Sequence, residues 1–67
     1  MPLIELKNQI LQKYKSESEM ARSMKWPRQK LNKITNGVKV PDVGEISELS
    51  QALNISISRV ASFFLNH

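Results

Sequence analysis

Cysteine is absent from the chain, and histidine occurs once, as His67. A fold of this size then has neither disulfides nor a zinc-type cluster to hold it, which leaves well-packed helices, helped by a partner subunit. Glycine is limited to Gly37 and Gly44, so no glycine-rich phosphate loop exists. No segment approaches the roughly 20 apolar residues of a membrane span. Acidic residues are missing altogether between Met20 and Lys39, while six cations stand there.

With 67 residues, the chain has room for one core, read as a single domain over 1–67. Glu5 and Lys7 interrupt the start of the chain where a secretory leader would need an unbroken apolar run. Together with the lack of cysteine, this points to a soluble protein of a reducing compartment, the cytoplasm. No catalytic constellation is visible, so the chain is not read as an enzyme. Its Ser, Asp and Glu residues fall at helix caps and exposed faces, and His67 is read as a solvated end. No cofactor, metal or small-molecule ligand is expected. The glycosylation string Asn54-Ile55-Ser56 reads more simply as a turn between helices.

Charge is distributed in blocks. From Met1 to Glu19, Lys7, Lys13 and Lys15 cancel Glu5, Glu17 and Glu19. Arg22, Lys25, Arg28, Lys30, Lys33 and Lys39 then give +6, and from Val40 onward Asp42, Glu45 and Glu48 outweigh Arg59 to leave −2, matching the overall +4. A basic block beside an acidic remainder is the footprint of polyanion binding, although a merely solubilising surface gives the same count.

Helical punctuation recurs at short intervals. Leu3, Leu6, Ile10 and Tyr14, with Ile4 and Leu11 beside them, make an amphipathic first helix. Ser16 opens S-E-S-E, a capping box with Glu19, and Met20, Ala21 and Met24 form the buried stripe of a second helix. Pro27 suits the first position of a third helix, running to Thr35, and biases Trp26 away from the α region. Turning 100° per residue puts Pro27, Leu31 and Ile34 on one side of that helix and Gln29, Asn32, Lys33 and Asn36 on the other, flanked by Arg28 and Lys30. Asn36-Gly37 stops it. Asp42, with Glu45 three residues later, caps a fourth helix with Val43, Ile46, Leu49 and Leu53 as its stripe. Asn54 is a left-handed stop, and Ser56 or Ser58 caps a last helix carrying Val60, Ala61, Phe63, Phe64 and Leu65. The run Ile55 to Val60 alternates, but it is brief and has no second strand to pair with. The fold class is all-α: a compact five-helix domain.

Two short helices joined by a tight turn, the second presenting polar residues, is a helix-turn-helix arrangement. Glu17 to Asn36, ESEMARSMKWPRQKLNKITN, resembles the helix-turn-helix of the phage repressor and Cro-type family, with Ala21 as the small residue where the helices cross. Met20, Met24, Trp26, Leu31 and Ile34 fall on that family's buried positions, and the resemblance extends from Ser16 to Ala61. Two positions depart from it. Lys25 stands where the family usually has glycine, and Glu17 where it often has a glutamine that donates to phosphate.

The resemblance implies a sequence-specific, homodimeric regulator of double-stranded DNA, most simply a Cro-like repressor in a phage or prokaryotic setting. Arg28, Gln29, Asn32 and Lys33 match positions that commonly read bases, and their side chains suit it: Arg and Lys donate to guanine O6 and N7, while Gln and Asn pair with adenine N6 and N7. Arg28 and Gln29 are the first expectation. Arg22, Lys25, Lys30, Asn36 and Lys39 surround the same face and are expected to contact phosphates. Trp26 is read as a wedge at the helix crossing, with stacking on a base as the alternative. One of Phe63 and Phe64 completes the core, and the other joins Ile57 and Val60 in a dimer patch, for which the expected residues are Ile57, Val60 and Phe64. A module that binds a protein through the basic face is the competing reading. RNA is a third, disfavoured by the lack of an aromatic platform.

Overall fold

The computed structural model describes residues 3–65. Five helices follow in order: α1 (Ile4–Lys13), α2 (Glu17–Met24), α3 (Arg28–Thr35), α4 (Val43–Leu53) and α5 (Ile57–Leu65). The described residues contain no strand, and none of their helices is long and apolar enough to cross a membrane. The alternating run from Ile55 to Val60 is no strand: it crosses the connection after α4 and enters α5 at Ile57. His67 lies outside the described residues.

Leu6 and Ile10 turn α1 inward, whereas Ile4 and Leu11 stay exposed. The helix is tied at both ends by long-range hydrogen bonds. The Leu3 N–H donates to the Thr35 carbonyl at the end of α3 (2.8 Å), and the Tyr14 hydroxyl donates to the Ala52 carbonyl of α4 (2.9 Å). Around these anchors Leu6, Ile10, Met20, Leu31, Ile34, Leu49, Leu53 and Val60 are fully buried, and Ala21, with only a methyl group, lets α2 lie close to its neighbours. Each large aliphatic side chain so buried contributes roughly 1.5–3 kcal/mol relative to exposure.

Most of the expected punctuation is present, with instructive exceptions. Ser16 Oγ accepts from the Glu19 N–H at 3.1 Å, but among the described residues Glu19 does not reach back, so α2 has half a capping box. Asp42 and Glu45 form the full box at the start of α4. Asn54 is left-handed at the end of α4, and Ser56 Oγ accepts from the Arg59 N–H to open α5. Pro27 is the N-cap of α3, not its first helical residue, and is exposed. The proline ring fixes φ but leaves ψ free, and its ψ of 142° makes the extended step by which the chain leaves the buried Trp26.

Two apolar assignments are corrected. Val43 is 83% exposed and Glu45 is buried in its place. Six residues before Leu49, Val43 lies about 120° off the buried stripe, while Glu45, four before, lies within about 40° of it. Val60 is fully buried and cannot belong to a dimer patch. Three residues past Ile57, it turns about 60° toward the core with Phe63, whereas Ile57 and Phe64, seven apart, share one flank.

The turn between α2 and α3 is closed by the Trp26 N–H donating to the Ala21 carbonyl (2.8 Å), with Lys25 at φ 62°, ψ 32°. A side chain in this left-handed region is strained by about 1–2 kcal/mol. Lys25→Gly is therefore expected to stabilise the domain by about 1 kcal/mol, raising the midpoint of a thermal melt by roughly 4–8 °C; a lowered midpoint would contradict the strain.

Candidate nucleic-acid interface

Helix α3 has eight residues and no side-chain cap, so it is too short to hold its shape alone. Its inward side is Leu31, Ile34 and Thr35, all fully buried. The side turned to solvent carries Arg28, Gln29, Asn32 and Lys33, all exposed. The helical sidedness expected of α3 is therefore present, apart from Pro27. Arg28, Gln29 and Asn32 share a groove of about 430 Å³ with Lys15, Ser16 and Glu17 at the start of α2. Arg22 and Arg28 line a second groove, with Ser18 and Trp26. Lys25 is exposed at the turn between the two helices. Asn36 donates its side-chain amide to Asn32 Oδ1 at 3.0 Å, so it steadies a candidate reading residue.

Three polar ties fix α3 against the rest. Thr35 Oγ1 lies 2.7 Å from Glu17 Oε1 and donates to it across the pair, with its own Asn32 carbonyl at 3.1 Å as a weaker acceptor. Glu17 has Lys7 at 4.0 Å. Glu17, where the family often has glutamine, thus has a structural use as the acceptor for a buried threonine, a role that needs only a side-chain oxygen. Trp26 is 8% exposed and donates from Nε1 to Glu48 Oε1 at 3.2 Å. It is a wedge in the core with its polar edge satisfied, and no face is left for a stacked base.

Glu45 makes the third tie. Its Oε1 accepts from the Asp42 N–H (3.0 Å), and its Oε2 receives Lys39 at 3.0 Å and Lys30 at 3.1 Å. The Lys30 ammonium also stands 4.3 Å from the centre of the Trp26 ring, within reach of a cation–π attraction. Lys30 and Lys39, expected among the phosphate contacts, thus converge on one carboxylate. The Asp42 backbone N–H, and then the two lysines, hold the Glu45 carboxyl down at about 2, against the opposing effect of burial.

Sequence reasoning missed Glu45, Glu48 and Thr35 as the parts that orient α3 and its flank. Glu45 was within reach of it: the acid three residues after an N-cap, also lying on the side of Leu49 and Leu53, combines two signals. Glu48 and Thr35 find their partners 22 and 18 residues away, which no local pattern encodes. Among the described residues no group of acids, histidines or cysteines is arranged to hold a metal ion.

Residues 6–60 match the model of a helix-turn-helix family, that of the Cro and phage-repressor type. The chain belongs to that family, one of DNA-binding transcriptional regulators and generally not of enzymes. No curated protein and no solved structure matches it significantly.

The lowered Glu45 carboxyl has a consequence for acid stability. Its folded value lies below the ordinary one, so its contribution is complete above about 4.5 and is lost as pH falls toward 2. In chemical denaturation, Glu45→Gln should reduce the loss of stability between about pH 5 and 2 by up to roughly 3 kcal/mol relative to the parent. Identical acid limbs in the two proteins would show that the carboxylate is not held as described.

Proposed function

We propose that the protein is a sequence-specific repressor that places α3 in the major groove of a two-fold DNA operator. The carrying observation is the sidedness of α3. Arg28, Gln29, Asn32 and Lys33 stand out from a helix whose other side is locked by Leu31, Ile34 and Thr35, inside a stretch with no acid. A major groove admits one helix, whose N-terminal residues reach base edges first. Arg28 and Gln29 head that end of α3, with Asn32 and Lys33 one turn further on. Arg22, Lys25 and Asn36 flank them as phosphate anchors, positioning the protein without reading sequence.

Dimerisation is assigned to the flank of α5. Ile57 is 52% exposed, Phe64 is half-buried seven residues on, and Leu65 beside it is 79% exposed. Two copies joined there would read half-sites about 34 Å apart, one turn of the duplex. Repression follows from occupancy of a promoter by such a dimer.

Selection of bound sequences from a random duplex pool should enrich a palindrome. Gln29→Ala should change the preferred bases while leaving the melting midpoint nearly unchanged. Trp26→Phe should do the reverse, keeping the preference and losing about 1 kcal/mol with the bond to Glu48. Absence of measurable duplex affinity at low salt would refute the reading and favour a protein partner on the basic face.

Sedimentation of the operator complex at micromolar concentration should give two copies of the chain per duplex. Ile57→Glu should reduce this to one, with about tenfold or greater loss of operator affinity. A stoichiometry of two that is indifferent to Ile57→Glu would remove the α5 flank as the interface.

A further inference from the structure

Six cations between residues 20 and 39 suggest six points of attraction for a polyanion, but the geometry divides them. Among the described residues, no salt bridge engages Arg22, Lys25, Arg28 or Lys33. Lys30 and Lys39 both end on Glu45 Oε2, at 3.1 and 3.0 Å. That oxygen is not free to swing away. The other oxygen accepts from the Asp42 N–H and the residue is 7% exposed, so the carboxylate is built into the start of α4.

A backbone phosphate that draws either lysine off Glu45 breaks a charge-assisted bond to a carboxylate with little access to water. It would also leave that buried charge with one counter-ion fewer, which is strongly unfavourable. The gain in return is one solvent-exposed phosphate contact. For Lys30 there is a further loss, that of the Trp26 ring beneath it.

On the duplex-binding reading above, we propose that Glu45 is a selectivity residue: it withholds Lys30 and Lys39 from the phosphates beside the reading helix. Non-specific affinity comes almost entirely from phosphate contacts, whereas discrimination comes from base edges. Holding back two cations therefore weakens binding to arbitrary sequence and leaves the contacts of Arg28, Gln29, Asn32 and Lys33 untouched. Glu45 acts through the two lysines and touches no DNA.

The test is the salt dependence of binding to a fluorescent random-sequence duplex of roughly 20 base pairs, between about 50 and 200 mM KCl, where each phosphate contact adds about 0.9 to the log–log slope. Far-ultraviolet circular dichroism checks that each variant is folded. Lys30→Met and Lys39→Met should each keep the parent slope, and Arg22→Gln, which removes a proposed anchor, should lower it by about 0.9 per bound protomer. Glu45→Gln should steepen the slope by up to about 1.8 and tighten random-duplex binding roughly five- to tenfold at 0.1 M salt for each lysine released. Loss of about 0.9 in Lys30→Met or Lys39→Met, with the parent binding normally, overturns the inference and leaves the duplex reading standing. An unchanged slope in folded Glu45→Gln overturns it equally. Should Glu45→Gln fail to fold, the two lysine variants decide. A parent protein that binds no duplex at low salt defeats the duplex reading, and this inference falls with it.

Discussion

The carboxylate of Glu45 is the constraint on which the placement of α3 depends. It ties three pieces of chain together: α4 through the Asp42 N–H, the segment after α3 through Lys39, and α3 itself through Lys30. Burying an ion is unfavourable unless its lone pairs are occupied and its charge is met, and here both oxygens are used and two cations are present. The connecting segment is held from its other end as well. The N–H groups of Val38 and Lys39 donate to the Lys33 carbonyl at 2.9 and 3.1 Å, and Pro41 is buried. Residues 36–42 thus follow a path fixed by the end of one helix and the start of the next.

Helix α3 acquires its rigidity from elsewhere in the same way. Eight residues do not make a stable helix in water, so burial of Leu31 and Ile34 must supply what propensity cannot. Burial alone leaves a helix free to slide or roll, and directional bonds remove that freedom. Thr35 reaches Glu17 of α2 and, through its carbonyl, Leu3 ahead of α1, while Trp26 reaches Glu48 of α4. Every helix that could shift relative to α3 is bonded to it or to its immediate flank, apart from α5, which packs on α1 and α4. On the reading proposed above, side chains that read bases need placement to within a fraction of an ångström, which support of this kind favours.

The local grammar was legible in the sequence because its causes are local. Ser16 and Asp42 cap helices since their oxygens meet an N–H three residues on, and Asn54 stops α4 since its side chain tolerates positive φ. The outward placement of Gln29 and Asn32 follows from the helical repeat once Leu31 and Ile34 are buried. What failed did so for want of three-dimensional context. Val43 and Val60 are both apolar, yet one faces water and the other the core, because hydrophobicity does not say which side of a helix its neighbours will cover. Lys30 and Lys39 counted as free charges until the fold brought a carboxylate to them. Glu17 departs from the family pattern, and its partner Thr35 stands 18 residues along the chain, out of reach of any local signal.

Lys25 joins two demands that pull against each other. Glycine would relieve the backbone at this corner, yet it would also delete a positive charge standing between the paired helices, near the negative end of the α2 dipole. Long-range attraction steers a polyanion during its approach, and a charge at this corner contributes even if it touches nothing in the final complex. On the duplex reading proposed above, the residue would trade conformational ease for speed of encounter, and a variant optimised for robustness at this site would be slower to find its target.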